Sequence, residues 1–203
     1  KQRLLYNFSK KKKIIYFASV NSIDDANLHL KVTNDIVKIP SMESRNKKLI
    51  IYCSKKFKKI ILSTGTSTFN EIKQIIRLIP KKKLILMHCV SSYPCKLENI
   101  NLLMIQKLRK LNSKVGFSDH TIGTIASKFS LEFEPELIEK HFTISRKLPG
   151  RDNKFAILPG ELLEIKNYID DRKKSLIWRG DKVQKCEMDV RKNYSGRWSF
   201  NSE

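Results

Sequence analysis

Two stretches decide how this chain folds: VGFSDHTIG (residues 115–123) and LIEKHFT (residues 137–143). Each opens on apolar residues and turns polar just before a histidine, His120 in the first and His141 in the second. Short runs rich in Ile, Val, Leu and Phe read as strands, and four more precede these two, at residues 14–20, 36–39, 60–63 and 84–90. Helical patterns lie between them. After Ser63, Thr68 and Glu71 have the spacing of a capping box, Phe69, Ile72, Ile75, Ile76 and Ile79 form one apolar stripe, and Pro80 stops it. Further helices are expected over residues 100–111 and 121–133, with another after Pro159, a residue suited to a first helical position. The opening residues also read as helix.

Continuous apolar strands alternating with helices imply a parallel sheet covered by helices. That leaves a doubly wound open sheet or a (β/α)8 barrel. Polar residues at the carboxyl ends of the strands choose between them: Lys38 with Ser41 and Glu43, Ser63, Ser91, Ser118 with His120, and His141. In a barrel these ends converge on one mouth, whereas an open sheet spreads them along a line. No GxGxxG follows the early strands, which disfavours a dinucleotide-binding sheet. The expected fold is therefore α/β, a (β/α)8 TIM-type barrel, occupying residues 1–170. From Asp171 the pattern changes to a charged stretch, 171–203, whose large aromatics are Trp178, Tyr194, Trp198 and Phe200. It is expected to be an irregular basic extension packed on the barrel or on a partner.

The 203 residues are 40% apolar and 9% aromatic, enough for one sizeable core. No run approaches the roughly 18 apolar residues of a membrane span. The opening KQRLLYNFSKKKKIIYF lacks a small-residue cleavage site, so a cytoplasmic protein without membrane association is expected. A net charge of +21 invites a nucleic-acid partner. The lysines are nevertheless spread through runs such as 10–13 and 81–83, with no helix-turn-helix, zinc-finger or RNA-binding signature beside them, and they read as a drift of composition. Nucleic acid is not an expected partner; a positive field would equally draw an anionic small substrate into a cleft. Cys53, Cys89, Cys95 and Cys186 form neither a CxxC pair nor a disulfide framework and read as reduced thiols.

His120 and His141 end consecutive strands, and adjacent parallel strands of a barrel would bring both imidazoles to one cation. Two neutral imidazoles leave positions open for water and substrate, as a Lewis-acid ion that polarises a carbonyl requires. Either histidine alone reads better as a satisfied core or loop residue than as a ligand. Asp119 and Glu139, beside them, read equally as acceptors behind the ligands or as strand-end acids with solvated heads. Lys38, Ser41 and Glu43 place a cation, a hydroxyl and a carboxylate within six residues, able to hold an anion and move a proton, although a solvated strand end has the same composition. Ser63 precedes Gly65 and a helix start, where backbone N–H groups bind phosphate, or simply marks a turn.

In order along the chain, ILSTG, HCVSSYP, GFSDHTIG, IEKHFT and LPGRDNK resemble the motifs of sialic acid synthases and the related legionaminic and pseudaminic acid synthases. The resemblance runs from residue 14 to 169 and is strongest over 60–154. It implies a (β/α)8 barrel transferase that joins phosphoenolpyruvate to the open-chain aldehyde of an N-acetylated amino sugar of the N-acetylmannosamine type. Phosphate is released, and the product is a sialic-acid-like nonulosonic acid for surface polysaccharide. The resemblance also implies a homodimer and a divalent metal, Mn2+ with Mg2+ or Co2+ as alternatives. Carried over position by position, His120 and His141 match metal ligands that polarise the aldehyde oxygen. Lys38, Ser41, Ser63 and Ser118 match residues that hold the phosphate and carboxylate of phosphoenolpyruvate, and Glu43 matches a carboxylate beside the reacting centre. Ser91 stands where some members have Asn, Tyr93 matches a tyrosine beside the substrates, and Asp152 matches an acid that contacts hydroxyls of the acceptor sugar.

The match also departs from the family. Arg151 and Asn153 replace Pro and His of a usual LPGPDH, and Met42 replaces a Gly. Counted against the family, the six strands are the third to the eighth, so two strand-helix units, with an active-site acid and a phosphate-binding lysine, have no counterpart. No C-terminal antifreeze-like domain is recognised. The expectation is thus an incomplete barrel, a fragment with about six of eight units, whose edge strands and core are exposed. Two other readings stay open: an aldolase-type barrel with a Schiff-base lysine, and a non-catalytic, degenerate barrel fragment acting as a binding or interaction module.

Overall fold

The computed structural model describes residues 1–196 of the chain. Six strands, β1 (Ala18–Ser19), β2 (Ile36–Ile39), β3 (Lys59–Ser63), β4 (Leu84–Cys89), β5 (Val115–Asp119) and β6 (Ile138–Lys140), form one sheet in chain order, each parallel to the next. The helices are α1 (Gln2–Lys11), α2 (Ile23–Leu30), α3 (Lys47–Lys56), α4 (Phe69–Ile75), α5 (Leu103–Arg109), α6 (Ile125–Ser130), α7 (Pro159–Ser175) and α8 (Met188–Asn193). One helix therefore stands between each consecutive pair of strands, as parallel connections require.

The sheet curls into part of a barrel. Lys38 on β2 forms an ion pair with Glu139 on β6, yet four strand spacings separate β2 from β6, roughly 19 Å in a flat sheet. A lysine side chain cannot span that distance; the strand ends must wrap around a common mouth. Period-two alternation then divides each strand between two apolar layers. Outward-facing residues such as Val37, Ile39, Ile60, Leu62, Leu84, Leu86, Val115 and Phe117 join α3, α4 and α5 in the main core. Inward-facing Ile61, Ile85 and Met87 fill the barrel interior with Phe17, Ile36 and Leu137.

Local chemistry sets the helix ends. Thr68 and Glu71 make the expected capping box, and α4 passes into a 3-10 turn before Pro80. Ser22 caps α2 by accepting from Asp25 N at 3.0 Å, and Asn46 caps α3 by accepting from Leu49 N at 3.1 Å. Neither α2 nor α3 stands out as an apolar stripe in the sequence. The third expected helix starts at Ile125 rather than Thr121, because Asp119 accepts from the Thr121 N–H and holds the intervening residues in a turn. The first strand shortens to two residues, which leaves Ile14 and Ile15 exposed.

α7 continues through Ser175, past the change of pattern at Asp171, and the following stretch contains α8. Trp178 is 77% exposed, so it does not anchor this stretch to the barrel; Trp198 and Phe200 lie outside the described residues. No helix among the described residues is long and apolar enough to cross a membrane.

The barrel is open on one side. β1 and β6 are the edges of the sheet, apart from a single parallel bridge, Phe142 to Ile157, beyond β6. Between the edges lies a cavity of about 1360 Å³, lined by residues that include Phe17, Ile61, Ile85, Leu137, Ile157 and Ile165. Leu4, Leu5 and Phe8 of α1 are exposed as well. Contiguous apolar surface of this kind binds dyes and other chains. The 203-residue polypeptide alone is expected to bind 8-anilinonaphthalene sulfonate and to self-associate in sedimentation velocity. A monodisperse monomer that leaves the dye dark would contradict the open barrel.

Candidate active site

Polar side chains reach the mouth because the inward phase of each strand continues beyond its last apolar residue. On β5 that phase runs through Gly116 and Ser118 to His120, and on β6 through Leu137 and Glu139 to His141. The parallel register sets Ser118 opposite Glu139. Ser118 Oγ donates to Glu139 Oε1 at 2.7 Å, and the same carboxylate oxygen accepts from Lys38 Nζ.

His120 is buried, and its Nδ1 lies 2.8 Å from the Val90 carbonyl oxygen. A carbonyl can only accept, so Nδ1 carries the proton and donates, and Nε2 presents its lone pair 3.3 Å from Ser118 Oγ. Burial holds the His120 pKa below its ordinary 6.5, with the Val90 bond opposing, which keeps the ring neutral at pH 7. His141 is more open, with Nδ1 3.7 Å from Asp152 Oδ2. The two ring centroids are 5.5 Å apart. Tyr93 lies 4.4 Å from the His120 ring and 6.0 Å from His141, while Phe155 packs on His141 at 5.1 Å. Burial raises the Tyr93 pKa, so its hydroxyl stays protonated.

The two imidazoles fit a borderline divalent ion: they are close together, and His120 has its tautomer set by a backbone acceptor. Among the described residues, no group of three or more His, Cys, Asp and Glu side chains could hold a metal ion. The protein thus offers two nitrogens, and the other positions would fall to water and substrate.

A second cluster adjoins the first. Ser41 Oγ and Cys89 Sγ are 3.0 Å apart. A Cβ on Gly65 would stand 2.3 Å from Ser91 Oγ, 2.6 Å from Ser41 Oγ and 2.8 Å from Cys89 Sγ, so only glycine lets these groups converge. Ser91 Oγ is shut off from solvent without a partner in good hydrogen-bond geometry, although Tyr93 lies near enough to feel it. An enclosed hydroxyl lacking a partner suits a missing ligand oxygen. Ser63 is buried at the end of β3, in the same inward phase as Ile61.

Glu43 stands apart from this arrangement. Its carboxylate accepts from Asn46 Nδ2 at 2.8 Å, supporting the residue that caps α3. No hydrogen bond or ion pair joins it to the imidazoles. Glu139, not Glu43, is the carboxylate that bonds Lys38 and Ser118 at the mouth. Burial pushes its pKa up, but the charge of Lys38 and the bonds from Lys38 and Ser118 outweigh burial, and the carboxyl ends below its ordinary 4.5.

The other two histidines are core residues. His29 Nε2 meets the Ile36 carbonyl at 2.9 Å with the ring stacked on Phe57, and His88 Nε2 meets the Ile100 carbonyl at 2.7 Å with the ring stacked on Phe117. On the outward face, Asp119 and Lys140 form a buried ion pair at 2.8 Å. Asp119 is thus neither a solvated acid nor a residue of the mouth.

The sequence profile of the NeuB family matches residues 1–182. The chain is 31% identical over 191 residues to the N,N'-diacetyllegionaminic acid synthase of Campylobacter jejuni, covering 91% of this chain and 56% of that protein. It is 28% identical over 193 residues to a Campylobacter jejuni pseudaminic acid synthase, covering 93% of this chain and 55% of that one. The crystal structure of the N-acetylneuraminic acid synthetase of Leptospira borgpetersenii, in complex with citrate, superposes with a TM-score of 0.81 at 32% identity, over 96% of this chain and 70% of that chain. The chain spans about half the length of the curated relatives it matches.

Two outcomes follow from the mouth's packing and charge. Gly65→Ala forces a methyl group against Ser41, Cys89 and Ser91, and is expected to lower stability by about 1–3 kcal/mol in urea unfolding; an unchanged midpoint would show that the cradle has slack. Because the folded Glu139 pKa is lowered, its contribution to stability is complete above about pH 4.5 and is lost as pH falls through the folded value. Lys38→Met is expected to flatten that acid limb in urea titrations, and an acid limb identical to that of the unmutated chain would remove Lys38 from the balance.

Proposed function

Because this chain belongs to the NeuB family, we propose that it is the metal-binding part of a nonulosonic acid synthase, joining phosphoenolpyruvate to the open-chain aldehyde of an N-acetylated amino sugar. The reading rests chiefly on the two imidazoles, 5.5 Å apart at the ends of adjacent strands, one with its tautomer set by Val90. His120 and His141 would hold the divalent ion, Mn2+ in first place, and that ion supplies Lewis-acid polarisation of the aldehyde oxygen.

The remaining steps fall to side chains. Ser41, Ser63, Ser91 and Ser118 offer hydroxyls to the phosphate and carboxylate of phosphoenolpyruvate, and Lys38 exchanges Glu139 for one of these anions. The enol carbon of phosphoenolpyruvate forms the new bond to the aldehyde carbon, water adds at the carbon bearing the phosphate ester, and phosphate leaves. Freed from Lys38, Glu139 lies where a proton must move between water and the mouth; Glu43, held by Asn46, is the other carboxylate available for that transfer. Tyr93 covers the imidazoles, and Asp152, beside His141, meets the hydroxyls of an N-acetylmannosamine-type acceptor. The reaction belongs in the cytoplasm, where phosphoenolpyruvate is made, and the active assembly is a homodimer.

The open side of the barrel favours a second reading, a non-catalytic module that uses the apolar cavity to bind a partner. One experiment separates them. A chimera carrying the N-terminal barrel portion of the C. jejuni legionaminic acid synthase ahead of Lys1 is supplied with phosphoenolpyruvate, amino sugar and MnCl2. Phosphate release with a nonulosonic acid detected by mass spectrometry is expected, falling at least about 100-fold in His120→Ala and in His141→Ala. Turnover that survives either substitution or EDTA would defeat the metal reading, and no turnover with every divalent ion tried would favour the module.

A further inference from the structure

The residues immediately before the two imidazoles are themselves a pair. Asp119 ends β5 and Lys140 ends β6; the parallel register sets them opposite each other, and His120 and His141 follow directly in the chain. Alternation turns Asp119 and Lys140 away from the mouth, into the layer beneath α6. Their side chains are 0% and 6% exposed, and Lys140 Nζ lies 2.8 Å from Asp119 Oδ2.

Every strong hydrogen-bonding position of the pair is used locally. Asp119 Oδ1 accepts from Thr121 N at 2.8 Å, and Oδ2 accepts from Ser127 Oγ on α6 at 2.6 Å. Lys140 Nζ donates to the Thr121 carbonyl at 2.6 Å and lies 3.4 Å from Thr121 Oγ1. The backbone is therefore gripped on both sides of His120: Asp119 before it, Thr121 after it from both charges. The same ammonium is the side chain adjoining His141.

We propose that Asp119 and Lys140 are positioning residues, a cross-strand tie that holds the His120 and His141 rings at the spacing a shared divalent ion needs. The inference rests on the metal reading of the site and adds to it the group that sets its geometry. A buried ion pair is a weak stabiliser compared with well-packed apolar residues, but it fixes two strand ends in one relative placement, and apolar packing lacks that directionality. Groups that orient the ligands rather than touch the ion typically change metal affinity about 10–100-fold when removed.

The test uses the 203-residue chain and two readouts: Mn2+ affinity from the EPR signal of free Mn2+, and the ring-to-ring NOE between the His120 and His141 imidazoles, feasible with four histidines in the chain. Asp119→Asn and Lys140→Met, measured where circular dichroism shows them folded, are expected to bind Mn2+ about 10–100-fold more weakly and to lose the NOE. Lys83→Met removes a half-buried donor that bonds the Ser54 and Phe57 carbonyls, away from the mouth, and is expected to lower the unfolding midpoint with both readouts unchanged. Mn2+ affinity within twofold of the unmutated chain and an intact NOE in the folded tie variants would overturn the proposal. If those variants do not fold, Ser127→Ala, which removes one bond to Asp119, decides it: several-fold weaker Mn2+ binding supports the tie, and unchanged binding overturns it. An unmutated chain that takes up no Mn2+ would sink the metal reading alone, and retention or loss of the NOE in Asp119→Asn would still decide the tie.

Discussion

The parallel register between β5 and β6 is the constraint on which the rest of this structure depends. It sets Ser118 against Glu139 and Asp119 against Lys140. Because side chains alternate along a strand, one pairing governs two faces at once. Inward, it joins Ser118 to Glu139 and, through Glu139, to Lys38 across the mouth. Outward, it closes a buried ion pair beneath α6. A slip of β6 by one residue would turn Lys140 into the mouth and Glu139 against the helices, while Asp119 stayed beneath α6. That slip would bury a carboxylate without its partner, so charge as well as apolar packing selects the observed register.

The Lys38 to Glu139 ion pair has a different role. It is made between strands that are not neighbours, and so it depends on the curl of the sheet rather than on any one ladder. Below it lies the small interior layer of Ile61, Ile85 and Met87, which gives the mouth an apolar floor. A charge pair above such a floor is only partly screened, and the lowered Glu139 pKa is the consequence. The pair also keeps Lys38 fixed at the rim, so an anion that replaces Glu139 meets a cation already in place.

The strands were legible because each holds or adjoins a short cluster of apolar residues, most plainly residues 60–62 of β3 and 84–87 of β4, and the barrel was legible because polar residues recur at their carboxyl ends. α4 was legible because its capping box and its apolar stripe coincide. α2 and α3 were not, because only part of each faces the core: α2 buries Ala26 and His29, and α3 buries Leu49, Ile50 and Cys53 amid lysines. Their caps, Ser22 and Asn46, were the signals available. At the site, the convergence of His120 and His141 followed from consecutive strand ends, whereas the roles of the acids depended on details that residue identity does not carry. Whether Asp119 faces helix or water is set by the phase of β5 and by Ser127 eight residues on. Glu43 drew attention by standing near Lys38 in sequence, yet it turns to Asn46, while Glu139, 101 residues from Lys38, is the partner in space.

The arrangement separates two demands that a strand-end site places on the same few residues. Ligand nitrogens must keep a free lone pair aimed at the mouth: burial keeps the His120 ring neutral against the opposing Val90 bond, and the Val90 carbonyl holds the one ring proton on Nδ1, which leaves Nε2 free. Strand ends must also be held rigidly, and rigid polar contacts are best made away from water. Alternation assigns these demands to successive residues, so Asp119 and Lys140 can be dry and fully bonded while His120 and His141, one peptide away, face the substrate side. The open seam beside β6 makes that division matter more. Among the described residues the bridge at Phe142 is all the ladder beyond β6, so the end that carries His141 is held on one side by the β5 ladder and by Lys140, and on the other by the Ile157 N–H donating to the His141 carbonyl at 2.8 Å. A barrel that is incomplete at its edge thus keeps its two imidazoles together through a contact made on its outside.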